Sequence, residues 1–454
     1  MSSRTRRAWL AMATALVAGL SAAPSGAQEH DHQFFYSDDA ALAAGAVAAT
    51  TEDSGSIYYN PAGLSLNQRS HADLNASALG VRIRSVDGIM TARLPNDQQA
   101  LNLRTIDILS TPHAAAITRR IGAHVSVGIG FYVVDYDTRA GEDTTSRTDP
   151  ASGAVIRNHV DIDLQQSKYL FGPAIGWQVT PAFRVGIGIF GTYATAVSGG
   201  RIFLDQSQPA TGGGAVPVAF VFYHFRGAGS AIGTRAVAGM QWDLLPSWTL
   251  AAVVRSPELQ LAAWGSQLTA VSGGSSLPSS TPSANFDVSD ARASNAVALS
   301  MPPQFIASLA RKMGAAFVSA EVDLQPPLRV VSQGIDRETA FNARVGGIFR
   351  VSPDMSLGAG FFTDRATTPL ALGLPADRID YYGVTLGGQL RTAILMAQKA
   401  QDKPLVLTTT VALRAAVGFG QARTYDIDET GFVPRSTDVT FYELTPYLGS
   451  SIAF

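Results

Sequence analysis

Between Val125 and Asp135 the chain reads Val-Ser-Val-Gly-Ile-Gly-Phe-Tyr-Val-Val-Asp, with Val125, Val127, Ile129, Phe131 and Val133 alternating with Ser126, Gly128, Gly130 and Tyr132. A period of two puts bulky apolar side chains on one face of an extended strand and mostly small ones on the other. The same signature recurs at Phe183, Val185, Ile187 and Ile189 against Arg184, Gly186 and Gly188. It returns between Leu405 and Phe419, where Thr408, Thr410, Arg414 and Gly418 lie opposite the apolar set. A run of 15 residues is long for a soluble strand but suits one that crosses a bilayer at a tilt and projects beyond it.

Working outward, short turn signals fall near Arg120–Ala123, Thr180–Pro181, Leu245–Ser247, Lys312–Gly314, Ser352–Asp354 and Lys399–Lys403. Long connections are expected near Asp87–Arg104, Thr138–Asn158, Asp205–Tyr223, Ser266–Ser300, Leu328–Thr339, Asp364–Arg378 and Gln421–Asp438. Six turns and seven loops imply about 14 strands, an even number that closes an antiparallel barrel with both termini on one side. Tyr442, Leu444, Leu448, Ile452 and Phe454 share one face of a final strand that ends on an aromatic residue.

Composition agrees with a strand-rich single unit: 454 residues, 46% hydrophobic and 15% charged, with 43 Gly and 23 Pro. The absence of cysteine excludes disulfides, thiolate metal sites and lipidation at an N-terminal Cys. A net charge of -2 gives no reason to expect nucleic acid as a partner. Residues 1–27 read as a secretory signal peptide: Arg4, Arg6 and Arg7, an apolar run from Ala8 to Leu20, then Ser25-Gly26-Ala27. That run falls short of the roughly 20 residues that span a bilayer as a helix, and no later window is apolar enough to do so.

Residues 28–70 do not alternate. Asp38-Asp39 is a suitable helix start before the Ala-rich run Ala40–Ala49, and Pro61 forces Asn60 out of the helical region in Ile57-Tyr58-Tyr59-Asn60-Pro61-Ala62-Gly63-Leu64. A barrel of about 14 strands is too wide for its own side chains to fill. The N-terminal segment is therefore expected to be a small helical plug, with residues 71–454 forming the transmembrane barrel.

These residues resemble the FadL-type outer-membrane transporters of long-chain fatty acids and their relatives that import aromatic hydrocarbons. The resemblance rests on Ala43-Ala44-Gly45 through Glu52-Asp53, on Ser56 to Leu64 and on terminal Phe454, with weaker echoes at Pro302-Pro303-Gln304-Phe305 and Ser319-Ala320-Glu321-Val322-Asp323. It implies a 14-stranded antiparallel barrel in the outer membrane, inserted by the barrel assembly machinery among lipid and lipopolysaccharide and working as a monomer. It places Asn60, Pro61, Ala62 and Gly63 in the hatch motif. It also implies passive capture of a hydrophobic small molecule, most readily a long-chain fatty acid, with lateral exit beside a kink in the third strand. Gly128 and Gly130 would permit that kink, although small residues facing the hatch explain them as well. Val216, Val218, Phe220 and Phe222 form an apolar stretch read either as a ligand-capture loop or as the top of a strand. For a carboxylate headgroup, Arg226, Arg235, Arg255 and Arg344 are not distinguished.

No catalytic residue, cofactor site or metal site is proposed. Gly186-Ile187-Gly188-Ile189-Phe190-Gly191 fits the dinucleotide fingerprint by letter but lies inside an alternating strand, with no helix end to receive a phosphate. His30-Asp31-His32 reads as a solvated tail. Aromatic hydrocarbon uptake, a general porin and a lipid-hydrolysing barrel remain the competing functions.

Overall fold

A computed structural model describes residues 34–454 apart from 68, 95–96, 149–152, 154, 210–214, 276–284, 293–298, 332–334, 371–375, 395–404 and 429–430. The expected signal peptide, His30-Asp31-His32 and the turn at Lys399–Lys403 lie outside the described residues. Three short helical elements come first: α1 (Asp38–Leu42), α2 (Ser56–Tyr59) and a 3-10 turn (Pro61–Leu66). The strands follow as β1 (His71–Leu94), β2 (Asp97–Ile121), β3 (Val125–Thr148), β4 (Val155–Thr180), β5 (Phe183–Pro209) and β6 (Ala215–Leu245). Then come β7 (Trp248–Arg255), β8 (Leu259–Ser275), β9 (Asn285–Arg292), β10 (Gln304–Met313), β11 (Ala316–Gln325), and a separate small hairpin, β12 (Leu328–Val330) with β13 (Ile335–Arg337). β14 (Ala340–Arg350), β15 (Met355–Asp364), β16 (Asp377–Ile394), β17 (Leu405–Asp428) and β18 (Gly431–Ala453) complete the chain.

Antiparallel pairing runs from each strand to the next around the wall, and β1 pairs with β18 to close it. The expected 14 unbroken strands are corrected in one place. Above Arg255 the chain turns inward through Ser256-Pro257-Glu258, so the strand facing β6 is split into β7 below and β8 above. Counting both pieces gives fifteen wall strands, with β9 hydrogen-bonded to β8 outside the ring. The physical cause is Pro257, which lacks the N–H a ladder needs. Glu258 N donates instead to Met301 O at 3.0 Å.

The wall has two heights. β1 to β6 run 24 to 31 residues, whereas β7, β10, β11, β14 and β15 run only 8 to 11. About 9–11 tilted residues cross a bilayer, so the short strands do little more than cross while the tall ones project. Most of the expected long loops are thus corrected to strand: 87–104, 138–158, 205–223 and 421–438 are largely extended and paired. Tight turns do occur at Gly122, Pro181, Pro246, Gly314 and Ser352, each near its expected place.

Bulky alternating residues face outward. Ile129, Ile187, Val411, Tyr442, Leu448 and Phe454 are exposed, forming an apolar belt. The small residues between them face the lumen, where residues 34–67 pack against the inner wall. α1 meets β14 to β18, and the 3-10 turn meets β3 to β6 on another side.

Candidate functional site: the lumen

The N-terminal segment is seated backbone-first. Asn60 is extended, as Pro61 demands, and caps the 3-10 turn by accepting from Ala62 N at 3.1 Å. Its amide Nδ2 donates to Ala48 O at 2.8 Å and to Met240 O of β6 at 3.1 Å, so one side chain joins both limbs of the segment to the wall. The wall answers with glycine: a Cβ on Gly186 would lie 2.3 Å from the Pro61 carbonyl carbon, and one on Gly239 would lie 2.1 Å from Asn60 Oδ1. Gly346 and Gly358 make the same room for Ala43 and Leu42. Gly63 is required by Thr51 O, 2.1 Å from where its Cβ would stand. Asp38 is buried against Tyr447, whose hydroxyl donates to its carboxylate at 3.0 Å; desolvation outweighs that bond and pushes its pKa up to about 7.

Above this segment a belt of charge crosses the lumen. Arg82 reaches Asp137 at 3.3 Å and Glu443 at 3.1 Å, and Arg84 reaches Asp107 at 3.1 Å and Asp137 at 2.6 Å. Arg414 holds Glu443 from the other side at 2.8 Å. Arg139 on β3 meets Asp377 on β16 at 2.5 Å, a contact between walls that are not neighbours in the sheet. These side chains are at most a tenth exposed. Desolvated ions of this kind persist only when paired.

Over the belt lies a tight pocket with about 20 Å³ of free volume. Its walls are Val86, Ile89, Leu103, Ala376, Ala422 and Phe441, with Arg84, Arg139 and Asp377 forming its floor. Ile89 comes from the upper part of β1, which has folded into the barrel mouth. A second, open hollow of about 530 Å³ lies on the outer face, lined by Ile117, Ile129, Pro173, Ile175, Ile187 and Ile189. Here the β4–β5 ladder lacks rungs at Gly172 and Pro173, as the missing proline N–H requires.

Among the residues singled out from sequence, Asn60, Pro61, Ala62 and Gly63 come together on the β4–β6 side of the lumen. Gly128 faces inward, its absent Cβ leaving room for Ile57 at 2.6 Å, and Gly130 faces the Tyr132 ring. Pairing of β3 keeps one register past both glycines and shifts only between Val133 and Asp135. Val216, Val218, Phe220 and Phe222 do not form a loop; they are the paired upper end of β6, and Phe220 and Phe222 are half-buried. Arg255 stacks on Tyr58 at 4.6 Å and Arg344 pairs with Glu321 and Asp323, so both serve the N-terminal segment and nearby wall. Sequence reading missed the belt, although Asp137 and Arg139 at spacing two, just beyond the apolar half of β3, were its visible trace.

No protein-family model matches this sequence, and no curated protein matches it. Solved structures do. A FadL homologue of Pseudomonas aeruginosa superposes with a TM-score of 0.57 at 12% identity, over 94% of this chain and 99% of that one. The chain has the FadL-type fold. The Pseudomonas putida toluene transporter TodX matches this FadL-type barrel with a TM-score of 0.52 at 13% identity, covering 94% of this chain and 99% of that one. The CymD monoaromatic hydrocarbon channel gives 0.50 at 11%, covering 92% and 97%. The resemblance read from Asn60 to Leu64 is thereby supported at the level of architecture.

Proposed function

We propose that this protein is a passive outer-membrane channel for small hydrophobic molecules, exported by a cleaved signal peptide, with residues 28–70 acting as its plug. The observation that carries the reading is the apolar pocket of Val86, Ile89, Leu103 and Phe441, suspended in a lumen otherwise crossed by the charge belt and filled by the plug. A water-filled porin needs an open polar path, and a hydrophobic solute needs apolar contact in place of water. The similar barrels TodX, a toluene transporter, and CymD, a monoaromatic hydrocarbon channel, support the same class.

Two cargoes fit different parts of the site. The apolar walls of the pocket suit a compact one-ring hydrocarbon, for which Ile89 must move aside, because the free volume of about 20 Å³ is closer to that of one water. Arg84 and Arg139 on its floor suit the carboxylate of a long-chain fatty acid, at the expense of their present partners Asp137 and Asp377. Exit runs sideways in this reading: withdrawal of Ile57 from Gly128 would join the lumen to the isoleucine-lined hollow where the β4–β5 ladder is interrupted. Photolabelling purified protein with a diazirine fatty acid and with an aryl diazirine tests the assignment. Label on the Ile89, Leu103 and Phe441 peptides, removed by excess oleate or toluene, is expected. Label confined to the lipid-facing isoleucines would refute it.

A further inference from the structure

The upper halves of β1 and β2 are not part of the barrel wall. β1 pairs with β18 only up to Ile83 and Tyr442, and β2 pairs with β3 only up to Ala114 and Tyr132. Beyond those points the two strands stay paired with each other as far as Leu94 and Asp97, forming a two-stranded flap attached at its base. Residues short of its tip join β17. Met90, Thr91 and Ala92 pair in parallel with Tyr425, Asp426 and Ile427 of β17.

That parallel joint fixes the path. β18 occupies one edge of β17 along its whole length, and β16 leaves the other edge at Ala422. The flap must therefore pass over the inner faces of β18 and β17 to reach the vacated edge, and Phe441, Ala422 and Asp377 indeed line one pocket with Ile89. Its other strand meets β3 and β4: Asn158 Nδ2 donates to Gln99 Oε1 at 2.7 Å, and Asn102 N donates to Asp143 Oδ2 at 2.6 Å. The flap is thus held between β17 on one side and β3 with β4 on the other.

The attachment is slight where it closes and pliant where it bends. A three-residue parallel ladder is a marginal pairing beside the uninterrupted β17–β18 ladder. Between Val86 and Met90 the register shifts, and Gly88 there takes φ +65°, a conformation glycine adopts without strain. The geometry points to the β1–β2 flap as the entry gate, which opens by lifting Met90–Ala92 off β17 and so uncovers the pocket beneath Ile89.

The absence of native cysteine permits a direct test in the full-length protein. Thr91→Cys combined with Asp426→Cys places two thiols on facing residues of the joint. In proteoliposomes, oxidation to the disulfide should lower uptake of toluene and of oleate at least tenfold, and dithiothreitol should restore it. Uptake by the oxidised protein equal to that of the reduced protein would overturn the gate. This arm rests on the proposed function, so a second readout stands apart from cargo. A water-soluble maleimide should modify Thr91→Cys alone at least ten times faster than the wall control Thr410→Cys, because a lifting flap exposes it. Equal rates would overturn the gate even if transport occurs. Fast labelling without uptake of either probe would leave the gate standing and refute the hydrophobic-channel reading instead.

Discussion

The plug and the flap both fill the barrel, yet they are held by different physics. Around the plug, backbone lies directly on wall glycines, with Pro61 against Gly186 and Ala43 against Gly346, leaving no space to exchange one contact for another. At the mouth, three rungs of ladder, a set of ion pairs and the buried side chains of Ile89, Met90, Leu101 and Leu103 hold the flap over a small apolar pocket. Close-packed apolar contact cannot be broken and remade in small steps, whereas charged side chains can trade partners. This contrast is why we propose the plug as the seal and the mouth as the gate.

Removing one closure entirely gives the largest effect. Deletion of residues 34–67 should turn an electrically silent barrel into one that conducts ions in planar bilayers, in bursts set by the flap. Silence after deletion would break the sealing role. Next comes the belt: Asp377→Asn leaves Arg139 to Asp137 alone, a carboxylate 2.8 Å away that Arg82 and Arg84 already share, and the loss should approach the lower end of the about 3–5 kcal/mol that breaking a buried pair costs. Urea denaturation should show that loss, while the double change Arg139→Met with Asp377→Met recovers most of it. If the single and double variants are equally unstable, the belt is not acting as a paired unit.

A smaller change sharpens the plug side. Gly186→Ala pushes a methyl into the Pro61 carbonyl and should destabilise the seat by about 1–3 kcal/mol, by overpacking rather than loss of charge. Faster proteolytic cleavage between residues 40 and 66, with the barrel intact, is the readout. Gly199→Ala, where the nearest atom to the new Cβ is 3.8 Å away, serves as the control.

The smallest expected effect is on pH dependence. Burial raises the Asp38 pKa to about 7 from the ordinary 3.8, so the seated plug binds a proton that the released segment gives up. The stabilisation from that proton is complete below about pH 4 and is lost as pH rises through 7. Plug protection against protease should therefore weaken between pH 5 and pH 8, and Asp38→Asn should remove part of the slope, the rest belonging to Asp39 and Asp53, whose carboxyls burial also pushes up. An unchanged slope in that variant would move the titration to another group.

Much of the wall was legible in the sequence because alternation is a local property. Val125–Phe131, Phe183–Ile189 and Tyr442–Phe454 show it directly, and glycine or proline marks the turns between such strands. The N-terminal segment was legible as a departure from that pattern, with Asn60-Pro61 as its bend. What could not be read depends on closure of the ring. The inward glycines of β3 and β5 admit a kink or a nucleotide fingerprint by letter, and only the packed plug shows that they make room for Ile57 and Pro61. Arg82 and Glu443 lie near opposite ends of the barrel sequence and meet because β1 pairs with β18. Polar Asp87, Asp97 and Gln98 made the flap look like a loop, because a strand over a mouth is solvated on one side just as a loop is.

The central claim is that this barrel passes apolar solutes and holds back ions. It is tested most directly by measuring toluene and chloride fluxes in the same proteoliposomes, against vesicles carrying an unrelated barrel. Toluene entry well above the control, with chloride retained, is predicted; chloride leaking as fast as toluene enters, or toluene entry no faster than in the control, would contradict it.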